Sequence, residues 1–360
     1  MIKIRSSQIK LLERLSEAVA VSGNESAVRR IVLEQVKPCA DEVRVDALGN
    51  VLVTRKGHAP LTKGETRLRV MIAAHMDEIG FMLTHDEGDG IFRFETVGGI
   101  DERQLPGKAV WIGPDRIPGV IGAKPIHLTT QDERKRVIPL DTLRIDIGPG
   151  SNRNVKAGDH AVFASRFRRL GDSLLGKAMD DRLGVATLIE LVKNAPAHLD
   201  LLAAFTVQEE VGLRGARVAA HALEPDLAIV VDATPAFDLP SWEAGEPTGG
   251  AKYNTRLGHG PAIYTADAAT LSDPRLVRFL IQVAEALKIP CQLRQPGGGG
   301  TDAGAIHLAR EGVPSVSISV PCRYAHTALS LVRLSDWQNT MTLLSNALRQ
   351  LTPEVLNSAR

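Results

Sequence analysis

Apolar residues recur along this chain at two spacings, and the points where one gives way to the other mark its elements. Ile9, Leu12, Leu15 and Val19 fall on one face of a helix that Ser6 and Ser7 are placed to cap. Ser22, Gly23 and Asn24 interrupt it, and Val28, Ile31, Val32 and Val36 predict a second helix, ended by Pro38. The stretch 41–57 reads as two strands about a Leu-Gly-Asn turn. The runs 67–78, 199–210, 226–234 and 313–326 are apolar and β-branched, and they terminate in Glu, Asp or His. Such strands belong to a sheet buried on both faces. Helical spacing returns in 181–194, 273–288, 301–312 and 335–351, so the alternation predicts an α/β core with helices on both sides of the sheet. Between Phe81 and Leu170 the texture changes. Short runs such as IFRFETV, KAVWIG and HAVFAS, separated by glycine-rich turns, predict an all-β insert with a charged loop at 129–140.

Ligands of open α/β sheets bind outside the carboxyl ends of the strands, so the residues at the ends of the apolar runs are the candidates for chemistry. These are His75 and Asp77, Glu209 and Glu210, Asp232, and His326, with Asp180 and Asp181 just before a helix. Singly each has a plain explanation: a hydrogen-bonded histidine, a solvated acidic pair, an aspartate helix cap. Together they place two imidazoles and several carboxylates on one rim, a donor set suited to zinc or a similar divalent ion. The run of glycines at 297–300 is followed by Thr301 and Asp302 rather than by the lysine of a phosphate loop, so it predicts close backbone approach to a substrate, with Thr301 capping the next helix.

Composition narrows the choice further. Lys and Arg number 43 against 42 Asp and Glu, a formal net charge of +1, which offers no general field for nucleic acid or an anionic membrane. Aromatic residues at 4% leave little for a base-stacking surface. No run approaches the roughly 18 apolar residues of a membrane span. The opening MIKIRSSQIKLLERLSEAVA lacks the unbroken apolar centre of a signal peptide, and Cys39, Cys291 and Cys322 are odd in number and far apart. A reducing, cytoplasmic location without disulfides is expected.

Six motifs in order, AAHMDEIGFM, GKAMDDRLG, TVQEEVGLRGA, VVDAT, GGGGTDAGAI and VPCRYAHT, resemble the signature of the tetrahedral aminopeptidases, a family that includes bacterial glutamyl aminopeptidases. The insert is similar too, through VGGIDERQLPGKAVWI and GVIGAKPIHL. The resemblance implies a zinc-peptidase-like catalytic domain, a mixed sheet with helices on both faces, formed by 1–77 and 173–360. It implies an inserted β-rich dimerisation domain at 78–172, and peptides as substrates. It also implies two divalent ions per subunit, zinc in the first place with cobalt or manganese as alternatives. Asp180 would bridge them, His75 and Asp232 would complete one site, and Glu210 and His326 the other. Asp180 is preferred to Asp181 because it stands four residues before Gly184, and a cis peptide between the two aspartates is implied. Asp77, two residues beyond His75, is placed to accept the imidazole's other N–H. Glu209 would serve as general base. The glycine loop would border the site.

In the resembling family the insert makes dimers, and six dimers close a tetrahedral dodecamer. Pairing would also cover sheet edges that the insert exposes. Two other readings stay open: another two-metal amide hydrolase (carboxypeptidase, dipeptidase or deacylase), and a non-enzymatic shell-forming protein.

Overall fold

The computed structural model describes residues 2–61, 64, 66–150, 154–239 and 255–359. The chain opens with helices α1 (Ser6–Glu17) and α2 (Ser26–Val36), the hairpin strands β1 (Glu42–Val45) and β2 (Val51–Arg55), and β3 (Arg69–His75). Ser6 and Ser7 lie inside the first turn of α1 and do not cap it; the flanking residue is Arg5, whose backbone N–H donates to Gln8 Oε1 at 2.7 Å. After β3 come β4 (Gly80–Gly88), β5 (Ile91–Val97), β6 (Ala109–Ile112), β7 (Ile117–Gly122), β8 (Arg144–Asp146) and β9 (His160–Phe163). The chain continues through β10 (Arg168–Leu170), β11 (Ser173–Gly176), α3 (Met179–Lys193), β12 (Asp200–Thr206), α4 (Arg214–Leu223) and β13 (Leu227–Pro235). Next are β14 (Ala262–Tyr264), α5 (Pro274–Ala286), β15 (Gln292–Arg294) and α6 (Ala303–Ile306). The last elements are β16 (Ser315–Arg323), β17 (Ser330–Arg333), α7 (Leu334–Gln350) and α8 (Glu354–Asn357).

The large sheet is mixed, in the order β1-β2-β12-β3-β13-β16-β17-β11-β10, with β14 on β16 and β15 beside β14. Its centre, β12-β3-β13-β16, is parallel. Alternation along these strands divides the core between two faces. Val70, Ile72 and Ala74 of β3 pack with α1, α2, α3, α5 and α7 on one side. Met71 and Ala73 pack with α4 and α6 on the other. Helices therefore cover both faces, which is why the central strands are apolar at nearly every position. Two helices differ from the sequence pattern. The helix expected over 301–312 is only the four residues of α6, and the ten-residue α4 was not foreseen.

Strands β4 to β9 close into a barrel with its own core, in which Phe81 meets Phe94 and Phe163 edge to face. Closure removes the open edges anticipated for this segment, so edge protection is not its reason for pairing with another chain. Strand β10, placed by its texture in the insert, pairs with β11 in the large sheet. The barrel is held to the core where Trp111 packs on Val19 and Val21. The Arg116 and Arg166 guanidinium groups lie over the Trp111 ring, and both are paired to Glu17. Among the described residues no helix is long and apolar enough to cross a membrane. The three cysteines are free thiols.

Candidate functional site

Because the central strands are parallel, their carboxyl ends gather on one rim. His75 is the last residue of β3 and is level with Thr206, the last of β12. Glu209 and Glu210 follow in the turn before α4, Asp232 lies on β13, and His326 stands three residues beyond β16. Asp180 and Asp181 are joined by a cis peptide at the start of α3, as the resemblance implies. All the predicted site residues except Asp77 line or adjoin one cavity of about 720 Å³, and the glycines at 297–300 form part of its wall.

Donor atoms of His75, Asp180 and Asp232 lie within 4.8 Å of one another, and so do those of Asp180, Glu210 and His326. Asp180 belongs to both groups and turns a different oxygen to each: Oδ1 is 3.0 Å from His75 Nε2, and Oδ2 is 3.6 Å from His326 Nε2. His75 Nε2 is also 3.8 Å from Asp232 Oδ1, and His326 Nε2 is 3.5 Å from Glu210 Oε2.

The two imidazoles are held alike. His75 Nδ1 is 3.2 Å from the Asp77 carbonyl oxygen, and His326 Nδ1 is 2.9 Å from the Gly99 carbonyl oxygen. A carbonyl only accepts, so each Nδ1 carries the proton and each Nε2 is turned toward carboxylate oxygens. Each Nε2 thus meets the carboxylates it faces across either its own proton or a bound cation. The donor set therefore fits divalent metal, with oxygen and imidazole ligands and carbonyls fixing the tautomers from behind.

Electrostatics agree. Burial would lower the His326 imidazole, yet its bond to Asp180 and the charge of Glu210 carry it up to about 10. Burial pushes Glu210 up to about 7, with Asp180 adding to the rise against the opposing charge of His326. Asp232 and Glu209 are raised well above the usual carboxylate range, first by burial and then by neighbouring carboxylates. Negative charge is crowded here beyond what two imidazolium groups offset.

Asp77 does more than stand behind His75. Its Oδ1 is 3.5 Å from His75 Nδ1, farther than its own carbonyl. The carboxylate accepts from Ser22 Oγ at 2.6 Å, from the Glu209 N–H at 3.0 Å and from the Glu210 N–H at 3.1 Å. It thus fixes the turn that carries the two glutamates. The buried Arg182 guanidinium donates to the Met76 and Asp77 carbonyls and to Glu78, which also pairs with the buried Lys177. Ser22, Gly99 and Arg182 were not foreseen as supports of the site. The break at 22–24 was the one visible trace of the first. Ala178, Gln208, Tyr324 and His326 adopt left-handed φ values of 52°, 56°, 62° and 56°. Non-glycine residues are uncommon there, and these four stand at or next to the site's carboxylates and imidazole.

The sequence profile of the M42 glutamyl aminopeptidases matches residues 49–343. A putative aminopeptidase of Acetivibrio thermocellus is 37% identical over 343 residues, covering 94% of this chain and 97% of the relative. The solved structure of an aminopeptidase of the archaeon Desulfurococcus kamchatkensis superimposes with a TM-score of 0.88 at 37% identity, covering 97% of this chain and 96% of its own. The TET1 peptidase of Pyrococcus horikoshii, described as assembling into a tetrahedron or a large octahedral shell, superimposes with a TM-score of 0.81 at 33% identity, covering 96% and 100%.

Proposed function

The chain belongs to the M42 glutamyl aminopeptidase family and is a peptidase, and from that premise we propose that it removes amino-terminal residues from peptides with the help of two divalent metal ions. The observation that carries this reading is the sharing of Asp180 between two donor groups, one oxygen to each. His75 and Asp232 would hold one ion, Glu210 and His326 the other, with Asp180 between them. Zinc is the first candidate, and cobalt or manganese suits the same donors. Such ions, when bound, increase the acidity of a water in the site and polarise the scissile carbonyl.

The protein's own groups supply the rest. Glu209, raised in proton affinity by burial, takes the proton from the attacking water and passes it to the amine as the C–N bond breaks. Asp77 holds the N–H groups of Glu209 and Glu210, so base and ligand keep their relative positions through the proton transfers. The barrel would serve as the pairing domain of a dimer, six of which would close a tetrahedral dodecamer. Free cysteines suit a cytoplasmic location.

The test is turnover of amino-terminally free and blocked peptides after metal stripping and re-addition, with elemental analysis of the loaded protein. Two ions per chain and cleavage of the free peptides alone are expected. At most one tightly held ion, or cleavage of blocked peptides, would overturn the assignment. Glu209→Gln should keep both ions and lose about 10²–10⁴-fold in kcat; activity within a few-fold of the parent would remove Glu209 from the role of base.

A further inference from the structure

Three buried charges, Glu78, Lys177 and Arg182, lie behind the rim and take no part in the chemistry above. Both oxygens of Glu78 accept from Lys177 Nζ at 2.7 Å, and Oε1 also accepts from Arg182 Nη2 at 3.1 Å. Two buried cations share one carboxylate, an arrangement that charge alone does not favour, so each is held by its other contacts. Lys177 donates to the Ala18 carbonyl at 2.8 Å, in the chain that leaves α1. Arg182 reaches further. Its Nε donates to the Leu15 carbonyl at 3.1 Å, and its Nη1 to the carbonyls of Met76 and Asp77, the second at 2.9 Å.

The Asp77 carbonyl is the one that faces His75 Nδ1. A carbonyl oxygen has two lone pairs and accepts from two donors, here the imidazole and the guanidinium. The acceptor that orients His75 is therefore itself held in place. It needs holding, because His75 is the last residue of β3 and the chain leaves the sheet here for the barrel, which begins at Gly80. The guanidinium is carried by α3, two residues beyond Asp180, whose Oδ1 is 3.0 Å from His75 Nε2. Imidazole, carbonyl, guanidinium and aspartate thus close a ring between the end of β3 and the start of α3. His326 is held differently. Its Nδ1 faces the Gly99 carbonyl, whereas the hydrogen bonds of Arg182 go to Leu15, Met76, Asp77 and Glu78.

We infer that Arg182 is a positioning residue for one of the two metal sites, that of His75, Asp180 and Asp232: it fixes the carbonyl that orients His75 relative to Asp180, and the site of Glu210 and His326 stands without it. This rests on the two-metal reading above. Glu78 is then the counter-charge that seats the guanidinium. A partner that orients a ligand is worth about 10–100-fold in metal affinity, and here that support falls on one ion of the pair.

The experiment isolates the two sites. His326→Ala leaves His75, Asp180 and Asp232, and His75→Ala leaves Asp180, Glu210 and His326. The zinc affinity of each single-site protein is measured by competition with a chromophoric chelator, with and without Arg182→Lys, which keeps the charge but not the planar fork. Affinity should fall about 10–100-fold in the first background and stay within a few-fold in the second. Arg182→Gln gives the same comparison should the lysine variant not fold. Lys177→Gln removes the neighbouring cation without touching the Asp77 carbonyl. It should lower the melting temperature yet leave both affinities within a few-fold, which separates positioning from loss of stability. With both sites intact, Arg182→Lys should keep one of two zinc ions through dialysis against a chelator that leaves the parent full. Equal loss in both backgrounds, loss in neither, a loss reproduced by Lys177→Gln, or retention of both ions on dialysis would overturn the inference while a parent holding two ions upheld the two-metal reading. If the parent holds fewer than two, both fall.

Discussion

At the scale of single residues, the site is organised by groups that accept hydrogen bonds. Carbonyls of Asp77 and Gly99 stand behind the two imidazoles, and the Asp77 carboxylate gathers Ser22, Glu209 and Glu210. Asp77→Asn keeps the size of that side chain but turns an N–H₂ toward donors that need an acceptor. We expect metal affinity or turnover to fall about 10–100-fold, read by competition with a chelator and by kcat. An unchanged affinity and rate would make Asp77 a packing residue. The crowded charge also has a sign that can be measured. Glu210 is raised to about 7, so the metal-free fold binds its proton more tightly than the unfolded chain does, and stability falls as pH rises from about 4.5 to 7. His326, raised to about 10, contributes stability that is fully present below about 6.5 and is lost as pH climbs from there to about 10. Both act in one direction. The melting temperature of the stripped protein should decline from pH 5 to 9, and metal should reverse the trend because its ligands must be deprotonated. A flat profile for the stripped protein would contradict the crowding.

At the scale of elements, helix α3 is where packing and chemistry meet. Gly184 lies in its interior, where alanine normally stabilises by about 1 kcal/mol. Here a Cβ would come within 2.2–2.6 Å of the Asp181 carboxyl group, whose Oδ1 accepts from the Gly184 N–H at 2.8 Å. Gly184→Ala should therefore lower stability by about 1–3 kcal/mol and reduce turnover by displacing the aspartate pair. Urea unfolding checks the sign, and a stabilised variant would refute the argument. The same helix shows what a sequence reveals. The central strands and α3 were readable because burial on both sheet faces leaves long apolar runs, and the polar residues that end them are the ones gathered at the rim. Helix α4 was not foreseen although its buried face, Gly215, Ala216, Ala219, Ala220 and Leu223, keeps helical spacing, because that face is mostly glycine and alanine rather than the large apolar residues that marked the other helices. The pattern over 301–312 exaggerated α6, because Ile306 at its end and Ala309 and Val313 in the segment after it are buried in one cluster although the helix has already stopped. Gly99 was invisible for another reason: its contribution is a backbone carbonyl, which any residue type possesses.

At the scale of the whole molecule, the barrel raises the question of what it adds. A connection between β3 and the next element of the core needs only about 4–6 residues, whereas β4 to β9 span 80–163. Closure has already satisfied its strand edges, so any pairing must use side chains. Ile126, Leu128 and Val137 are 63%, 66% and 55% exposed on the segment that runs into the charged loop. Apolar side chains left in water close together are the usual mark of a contact surface. We expect the protein in solution to be a multiple of its 38.8 kDa chain mass, with dimers built through the barrel and a closed dodecamer of six dimers. Light scattering at micromolar concentration decides the first point, and a mass of one chain would refute the assembly. The double substitution Ile126→Asp and Leu128→Asp should lower the mass without lowering the melting temperature of the subunit, because neither residue is part of a buried core. If the mass stays unchanged, this segment is not the contact. A closed shell also makes a kinetic claim: short peptides should be cleaved by both the parent and the dissociated variant. A folded protein with an accessible amino terminus should be trimmed faster by the variant, whose active sites are no longer enclosed. Equal trimming by the two would mean that the assembly encloses nothing.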